Sequence, residues 1–238
     1  MPINIKGIGD KKAVNSIIND IQESLRFYKQ WGCSGFDCSK EALAKMNSWG
    51  QPLPSHHDTL ERILADARDC RACAMSQVCQ NRVFGEGDPC ARLMFVGKAP
   101  GPEEDAQGKP FAGPAGELLT KIIKAMQLTR SQVYLCNIMK CGPFLDSPPR
   151  ASDINTCYSF LKRQINVIKP EFICTLGSVA AQTLLSTKEP LSGLRGRFHD
   201  FHGIYLMPTY APGYLLQNED KKRDVWEDMK KLMKAMER

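Results

Sequence analysis

The spacing of apolar positions divides the chain into two unlike parts. In residues 13 to 31, "AVNSIINDIQESLRFYKQW", Ile17, Ile18, Ile21, Leu25 and Phe27 recur near helical spacing, and a second helical stretch follows at about 40 to 48. "GQPLPSHHD" then breaks the periodicity and reads as a linker, after which "TLERILADARDC" resumes a helix that delivers Cys70. From residue 92 onward short apolar runs alternate with helical segments. "RLMFVG", "VYLCNIM", "EFICTLG" and "IYLMPT" read as buried strands, while the segments near 114 to 127, 153 to 168, 178 to 185 and 219 to 236 read as helices. Repeated strand then helix predicts an α/β fold with a mainly parallel sheet covered on both faces. The pattern predicts two regions, a helical N-terminal extension over 1 to 58 and an α/β domain over 59 to 238.

In open sheets of this kind ligands sit beyond the carboxyl ends of the strands. The stretch "FVGKAPGPEEDAQGKPFAG", residues 95 to 113, leaves such an end after Val96 with four glycines and three prolines around two glutamates and an aspartate. Its position marks it as a candidate site. Of the 238 residues, 42% are hydrophobic and 24% charged, which suits a globular chain and argues against disorder. No apolar run approaches the ~20 residues of a membrane span, and the N-terminus lacks the segments of a secretory signal, so the expected location is cytoplasmic. A formal charge of +6 is compatible with a nucleic-acid partner and equally with an enzyme that has none.

Ten cysteines in a reducing compartment argue against a disulfide framework and for metal or cluster ligation. "CRAC" spaces Cys70 and Cys73 so that both thiolates can face one centre. Cys136 and Cys174 fall inside expected strands, where a small buried thiol is ordinary. Cys141 follows a strand in "NIMKCGP", and Cys157 lies on the first turns of a helix in "SDINTC", so the two can converge across a loop. A zinc ribbon normally shows a second close pair, which is absent here. The spacing therefore favours an iron–sulfur cluster over zinc, against the alternative of four unrelated thiols.

Taken together, "VFGEGDPCARLMFVGKAPGPEEDAQGKPFAGPAGELL", "VYLCNIMKCGP" with a downstream cysteine, "ICTLGSVAAQTLL" and "PTYAPGYLLQNEDKKRDVWEDMKKLM" resemble the iron–sulfur uracil-DNA glycosylases, the fourth family of that superfamily. The resemblance covers roughly residues 60 to 236. It implies a three-layer sandwich with a central four-stranded sheet, uracil-containing DNA as partner, a monomeric enzyme and a [4Fe-4S] cluster. The family's cysteine pattern maps to Cys70, Cys73, Cys141 and Cys157, with Cys33, Cys38, Cys79 and Cys90 outside it. The implied role of the cluster is structural.

Breaking an N-glycosidic bond gives the sugar cationic character while negative charge gathers on the base, and the target must first be flipped out of the duplex and stacked in a pocket. By resemblance, stacking falls to Phe111. Edge reading falls to Asn137, whose amide offers a donor and an acceptor. The backbone from Gly97 through Ala99 to Gly101 is expected to line base and sugar, and Gly113, Gly116 and the helix start near 114 to hold a phosphate. Glu103, Glu104 and Asp105 are candidates to polarise water or, more plainly, caps and solvated loop charges. Two positions depart from the family: Lys98 stands where its "GEAPG" block has glutamate, and Ala211 where its "PTYHP" block has histidine. Both positions are expected to support the chemistry. His199 and His202 are candidates to compensate, and Arg195 and Arg197 to contact phosphates. Three functions remain open from sequence: a glycosylase weakened by these substitutions, a DNA-binding homologue that keeps only the pocket, and a metal-dependent redox protein.

Overall fold

The computed structural model describes residues 58 to 142 and 149 to 237. The expected N-terminal helices at 13 to 31 and 40 to 48 lie outside the described residues. Six strands form one sheet: β1 (Glu86–Gly87), β2 (Leu93–Gly97), β3 (Tyr134–Asn137), β4 (Phe172–Leu176), β5 (His199–Phe201) and β6 (Ile204–Thr209), in the order β1-β3-β2-β4-β6-β5. The four inner strands are parallel, and β1 and β5 pair antiparallel at the two edges.

The helices are α1 (Leu60–Arg68), α2 (Met75–Val78), α3 (Pro102–Gln107), α4 (Gly113–Ala125), α5 (Ala151–Ile168), α6 (Ser178–Leu185), α7 (Leu191–Leu194), α8 (Pro212–Gln217) and α9 (Lys222–Met236). Every residue of β2, β3 and β4 is buried, which explains why these strands read as continuous apolar runs. Alternate residues of β2 serve two cores. Leu93 and Phe95 pack with Leu119 and Ile123 of α4 and with Val225, Met229 and Leu232 of α9. Met94 and Val96 pack with Leu161, Ile165 and Ile168 of α5 and with Ala180 and Leu184 of α6. Each such large side chain contributes about 1.5–3 kcal/mol on burial, so the sheet is held from both faces.

The sheet has six strands, not the four expected. β1 and β5 are two and three residues long, too short to show a period-two pattern, and exist by pairing with an already formed edge. The β5–β6 hairpin turns through His202 and Gly203 with φ of 53° and 86°, the doubly left-handed turn that matches strand twist. Beyond the carboxyl ends of β2 and β6, prolines sit within the first turn of α3, α4 and α8, where the ring presets φ and the missing N–H costs nothing.

At the end of β6, Asp228 of α9 is 1% exposed and receives Arg195 on both carboxylate oxygens at 2.9 Å and the Thr209 hydroxyl at 2.7 Å. Arg195 also donates to the Asp224 carbonyl at 2.6 Å and lies 5.2 Å from the Tyr210 ring centroid. The expectation that Arg195 faces phosphates is thereby corrected: its guanidinium is a structural tie. Arg197 remains exposed, 3.6 Å from Glu189.

Candidate active site

Strand register sets Gly97, the last residue of β2, directly beside Asn137, the last of β3. A Cβ at position 97 would overlap Oδ1 of Asn137 and stand 2.9 Å from Cζ of Phe111. Only glycine lets the amide and the aromatic ring meet over the strand end. The two side chains assigned to base reading and stacking are therefore brought together.

Glu104 braces both. Its Oε1 accepts the Phe111 N–H at 2.5 Å and Nδ2 of Asn137 at 3.3 Å, while Oε2 accepts the Gly101 N–H at 2.6 Å. Burial pushes its carboxyl above the usual glutamate range, opposed by these three donors and reinforced by the charge of Glu103. Phe111 has φ of 52°. Its carbonyl accepts Arg130 at 3.4 Å, the Pro110 carbonyl accepts the same guanidinium at 2.8 Å, and Arg130 is paired to Glu86 of β1. Beneath the loop, a Cβ on Gly116 would run into the Phe111 carbonyl. Gly116 thus lets the Phe111 loop pass directly over α4.

The three acids of the loop all engage the protein. The carboxylate of Glu103 lies against Gly113 at the start of α4, on the ground expected for a phosphate. Asp105, 3% exposed, accepts the main-chain N–H groups of Gln80 and Asn81 at 3.0 and 3.1 Å. The Gly101 N–H, expected to line the ligand, is taken by Glu104. Ala99 is half-buried against the core face of Val96 and Ile138. Lys98 is exposed, and its carbonyl accepts the Met139 N–H at 3.0 Å.

Ala211 precedes α8, whose first turn begins beyond β6. A Cβ on Gly177, at the end of β4, would stand 3.2 Å from the Ala211 methyl, so position 211 shares the carboxyl edge of the sheet with Asn137 and offers no hydrogen bond there. Neither histidine replaces it. His199 shares a hydrogen bond with the Leu194 carbonyl at 2.8 Å, and His202 turns the β5–β6 hairpin against Phe201 at the opposite end of the sheet. That opposite end also holds a cleft of ≈ 720 Å³ lined by Tyr158, Lys162, Lys169 and His202. Its size does not make it the site, because none of the pocket residues above reaches it.

The cysteines gather behind the pocket. Burial pushes the Cys157 thiol up, opposed by the N–H and charge of Lys140 and reinforced by its neighbours Cys70 and Cys73. Burial does the same at Cys141, followed by the adjoining Cys79 and Cys157. The four cysteines singled out by spacing are thus neighbours, and Cys79, which the spacing left aside, stands among them. Arg82 donates to Cys79 Sγ at 2.6 Å, to the Ser76 carbonyl at 2.6 Å and to the Cys70 carbonyl at 3.3 Å. Its Nε is buried without a partner among the described residues. Among the described residues, no group of three or more His, Cys, Asp or Glu side chains is arranged to hold a metal ion.

A mainly parallel sheet, with an aromatic ring and an amide meeting over a strand-end glycine, makes this an α/β protein with a candidate site at the carboxyl edge. The chain belongs to the uracil DNA glycosylase superfamily, whose family model matches residues 84–230. Its relatives narrow the placement to the type-4 group. The chain is 38% identical over 184 residues to the type-4 uracil-DNA glycosylase of Sulfurisphaera tokodaii, covering 74% of this chain and 84% of that protein. It is 36% identical to the type-4 uracil-DNA glycosylase of Saccharolobus solfataricus, over 75% of this chain and 87% of that protein. It is 35% identical to that of Thermotoga maritima, over 74% of this chain and 94% of that protein. No helix among the described residues is long and apolar enough to cross a membrane.

Arg130, Lys140 and the bracing role of Glu104 were not legible in the sequence as site features. Lys140 alone carried a signal, a lysine inside the otherwise apolar run "NIMKC".

Proposed function

We propose that the protein removes uracil from DNA by hydrolysing the N-glycosidic bond, and that the pocket over Gly97 receives the flipped base. The meeting of Asn137 and Phe111 over Gly97 carries this reading. With Nδ2 of Asn137 held by Glu104, the amide has one orientation, which leaves Oδ1 and a second N–H to pair with the ring N–H and a carbonyl of uracil. The Phe111 ring stacks on the base. Lys98 favours a base that leaves as an anion, but its ammonium does not serve a sugar that is becoming cationic. Without an imidazole at 211, the leaving base loses a hydrogen bond. The expected enzyme is therefore slow.

Cys70, Cys73, Cys141 and Cys157 would hold a [4Fe-4S] cluster. The all-cysteine donor set, with no second close pair in sequence, suits an iron–sulfur cluster, and the Nε of Arg82, partnerless among the described residues, is a donor for sulfur. When bound, the cluster supplies iron–thiolate bonds that tie the segment before β1 to the loop after β3 and to α5.

Single-turnover assays on DNA carrying uracil, against the same DNA carrying thymine, test the reading. Uracil release with thymine spared is expected, and Asn137→Ala abolishes it with the fold intact by circular dichroism. Release unchanged in Asn137→Ala removes the pocket assignment. Iron and acid-labile sulfide in the anaerobically purified protein test the cluster, and equimolar zinc without iron overturns it.

A pH dependence follows from Glu104. Its folded pKa is raised, so its contribution to stability is full below the ordinary glutamate value and is lost as pH rises through the raised one. The pocket needs the opposite form, the carboxylate that accepts three N–H groups. Excision is expected to fall on the acid side at a pH above the ordinary glutamate value of about 4.3. Glu104→Gln sets an NH₂ against one of these donors, lowering the neutral-pH rate by about 10-fold or more, and removes that acid limb from the pH profile. An acid limb left in place in Glu104→Gln assigns it to another group.

A further inference from the structure

Lys140 is 1% exposed and lies one residue before Cys141. Its Nζ donates to the main-chain carbonyl of Asn137 and to Oε1 of Gln164, both at 2.6 Å, and stands 5.8 Å from the centroid of the Phe84 ring. Gln164 is fully buried and is itself fixed, donating to the Phe84 carbonyl at 3.1 Å and the Tyr134 hydroxyl at 3.2 Å. From its main chain, Lys140 donates its N–H to Cys157 Sγ at 3.2 Å. One residue thus touches both the base-reading strand end and a cysteine of the gathered set.

The acceptors around Nζ are neutral, and no Asp or Glu among the described residues pairs with it. A buried ammonium in such surroundings is costly unless negative charge lies close. The thiols that act on the ammonium are those of Cys136 and Cys157, and of these Cys157 becomes a thiolate on ligation. Asn137 is meanwhile gripped from two sides, its amide by Glu104 and its carbonyl by Lys140.

We infer that Lys140 is a positioning residue that joins the cysteine centre to the uracil pocket, balancing the charge of the thiolate-bound cluster while fixing the carbonyl of Asn137. The inference rests on the cluster reading above. It explains how a centre that performs no step of the hydrolysis governs base recognition: charge on the thiolates keeps the ammonium in place, and the ammonium keeps the strand end in register.

The test compares the full chain with Lys140→Met and Lys140→Arg. Iron content, the reduction potential of the cluster, and affinity for a duplex with a non-hydrolysable deoxyuridine are measured on each, with undamaged duplex as control. Reduction adds negative charge to the cluster, so removing a neighbouring cation is expected to make the potential more negative. Affinity for the uracil duplex is expected to fall about 10- to 100-fold in Lys140→Met, as for residues that orient a metal's ligands, with undamaged duplex bound as before. Lys140→Arg keeps the potential near that of the unaltered chain. An iron-loaded Lys140→Met with unchanged potential and uracil affinity overturns the inference. If Lys140→Met fails to retain iron, recovery of iron in Lys140→Arg supports it, and equal failure of both overturns it. An unaltered chain without iron removes the cluster reading before any variant is made. Iron without uracil preference removes the functional reading instead, and leaves the potential to decide on Lys140.

Discussion

Ala211→His is expected to raise the single-turnover rate of uracil release by about 100-fold or more, the usual worth of one donor aimed at charge that develops in the transition state. Position 211 lies beyond the ends of β4 and β6 at the carboxyl edge of the sheet, ahead of a helix that starts with Pro212. The strand ends that carry Asn137 and Gly97 open on the same edge. A histidine there adds a donor at the edge from which the proposed base departs. Lys98→Glu is expected to act on the other partner of the bond, by setting a carboxylate where the proposed function places the sugar. The double variant is expected to exceed either single change. Rapid-quench measurement of abasic-site formation under excess enzyme reads all three. A double variant no faster than the unaltered chain shows that these two positions do not limit the chemistry.

Asp228→Ala is expected to cost about 3–5 kcal/mol, the range for breaking one side of a buried ion pair, or roughly 10 °C in Tm for a domain of this size. Burial holds the Asp228 carboxyl above the usual aspartate range, opposed by the Thr209 hydroxyl and Arg195. The pair is therefore not a large net stabiliser. The cost arises from what the alanine abandons: a guanidinium 18% exposed that keeps the Asp224 carbonyl but loses its carboxylate, and a hydroxyl at the end of β6 left without its acceptor. Asp228→Asn, whose one amide oxygen still accepts Thr209 and one arm of Arg195 while its NH₂ faces the other, is expected to lose less. Thermal denaturation of the three proteins decides between this account and a purely packing role, in which the two variants fall together. Because Thr209 leads into Ala211, Asp228→Ala also loosens the edge that Ala211→His is meant to arm.

The inner sheet was legible because a strand buried on both faces must be apolar at every position, and Leu93 to Val96 and Phe172 to Leu176 are nearly so. β1 and β5 were not, because two or three residues such as Glu86–Gly87 carry no periodicity and owe their extension to a neighbour. Within the site, resemblance and flanking glycines pointed to Phe111, and a strand-end amide pointed to Asn137; folding sets the two side chains together over Gly97. The partners of charged residues were hidden. In "GPEED" nothing separates the glutamate that rests on a helix start from the one that braces three N–H groups, since the difference lies in which backbone atoms each reaches after folding. Arg195 misled for the same reason: an arginine in a glycine-rich loop reads as free until Asp228 is brought to it from 33 positions away.

The left-handed backbone of Phe111 has a meaning beyond geometry. A non-glycine residue there is strained by about 1–3 kcal/mol, and a protein selected for stability alone would carry glycine or asparagine. The strain is met while the chain folds, by Glu104 on the Phe111 N–H and Arg130 on its carbonyl. On the function proposed above, the stacking ring is braced before DNA arrives, and a flipped nucleotide would meet a platform whose backbone is already tied on both sides. Discrimination then falls on the shape and edge of the base, not on its power to organise the protein.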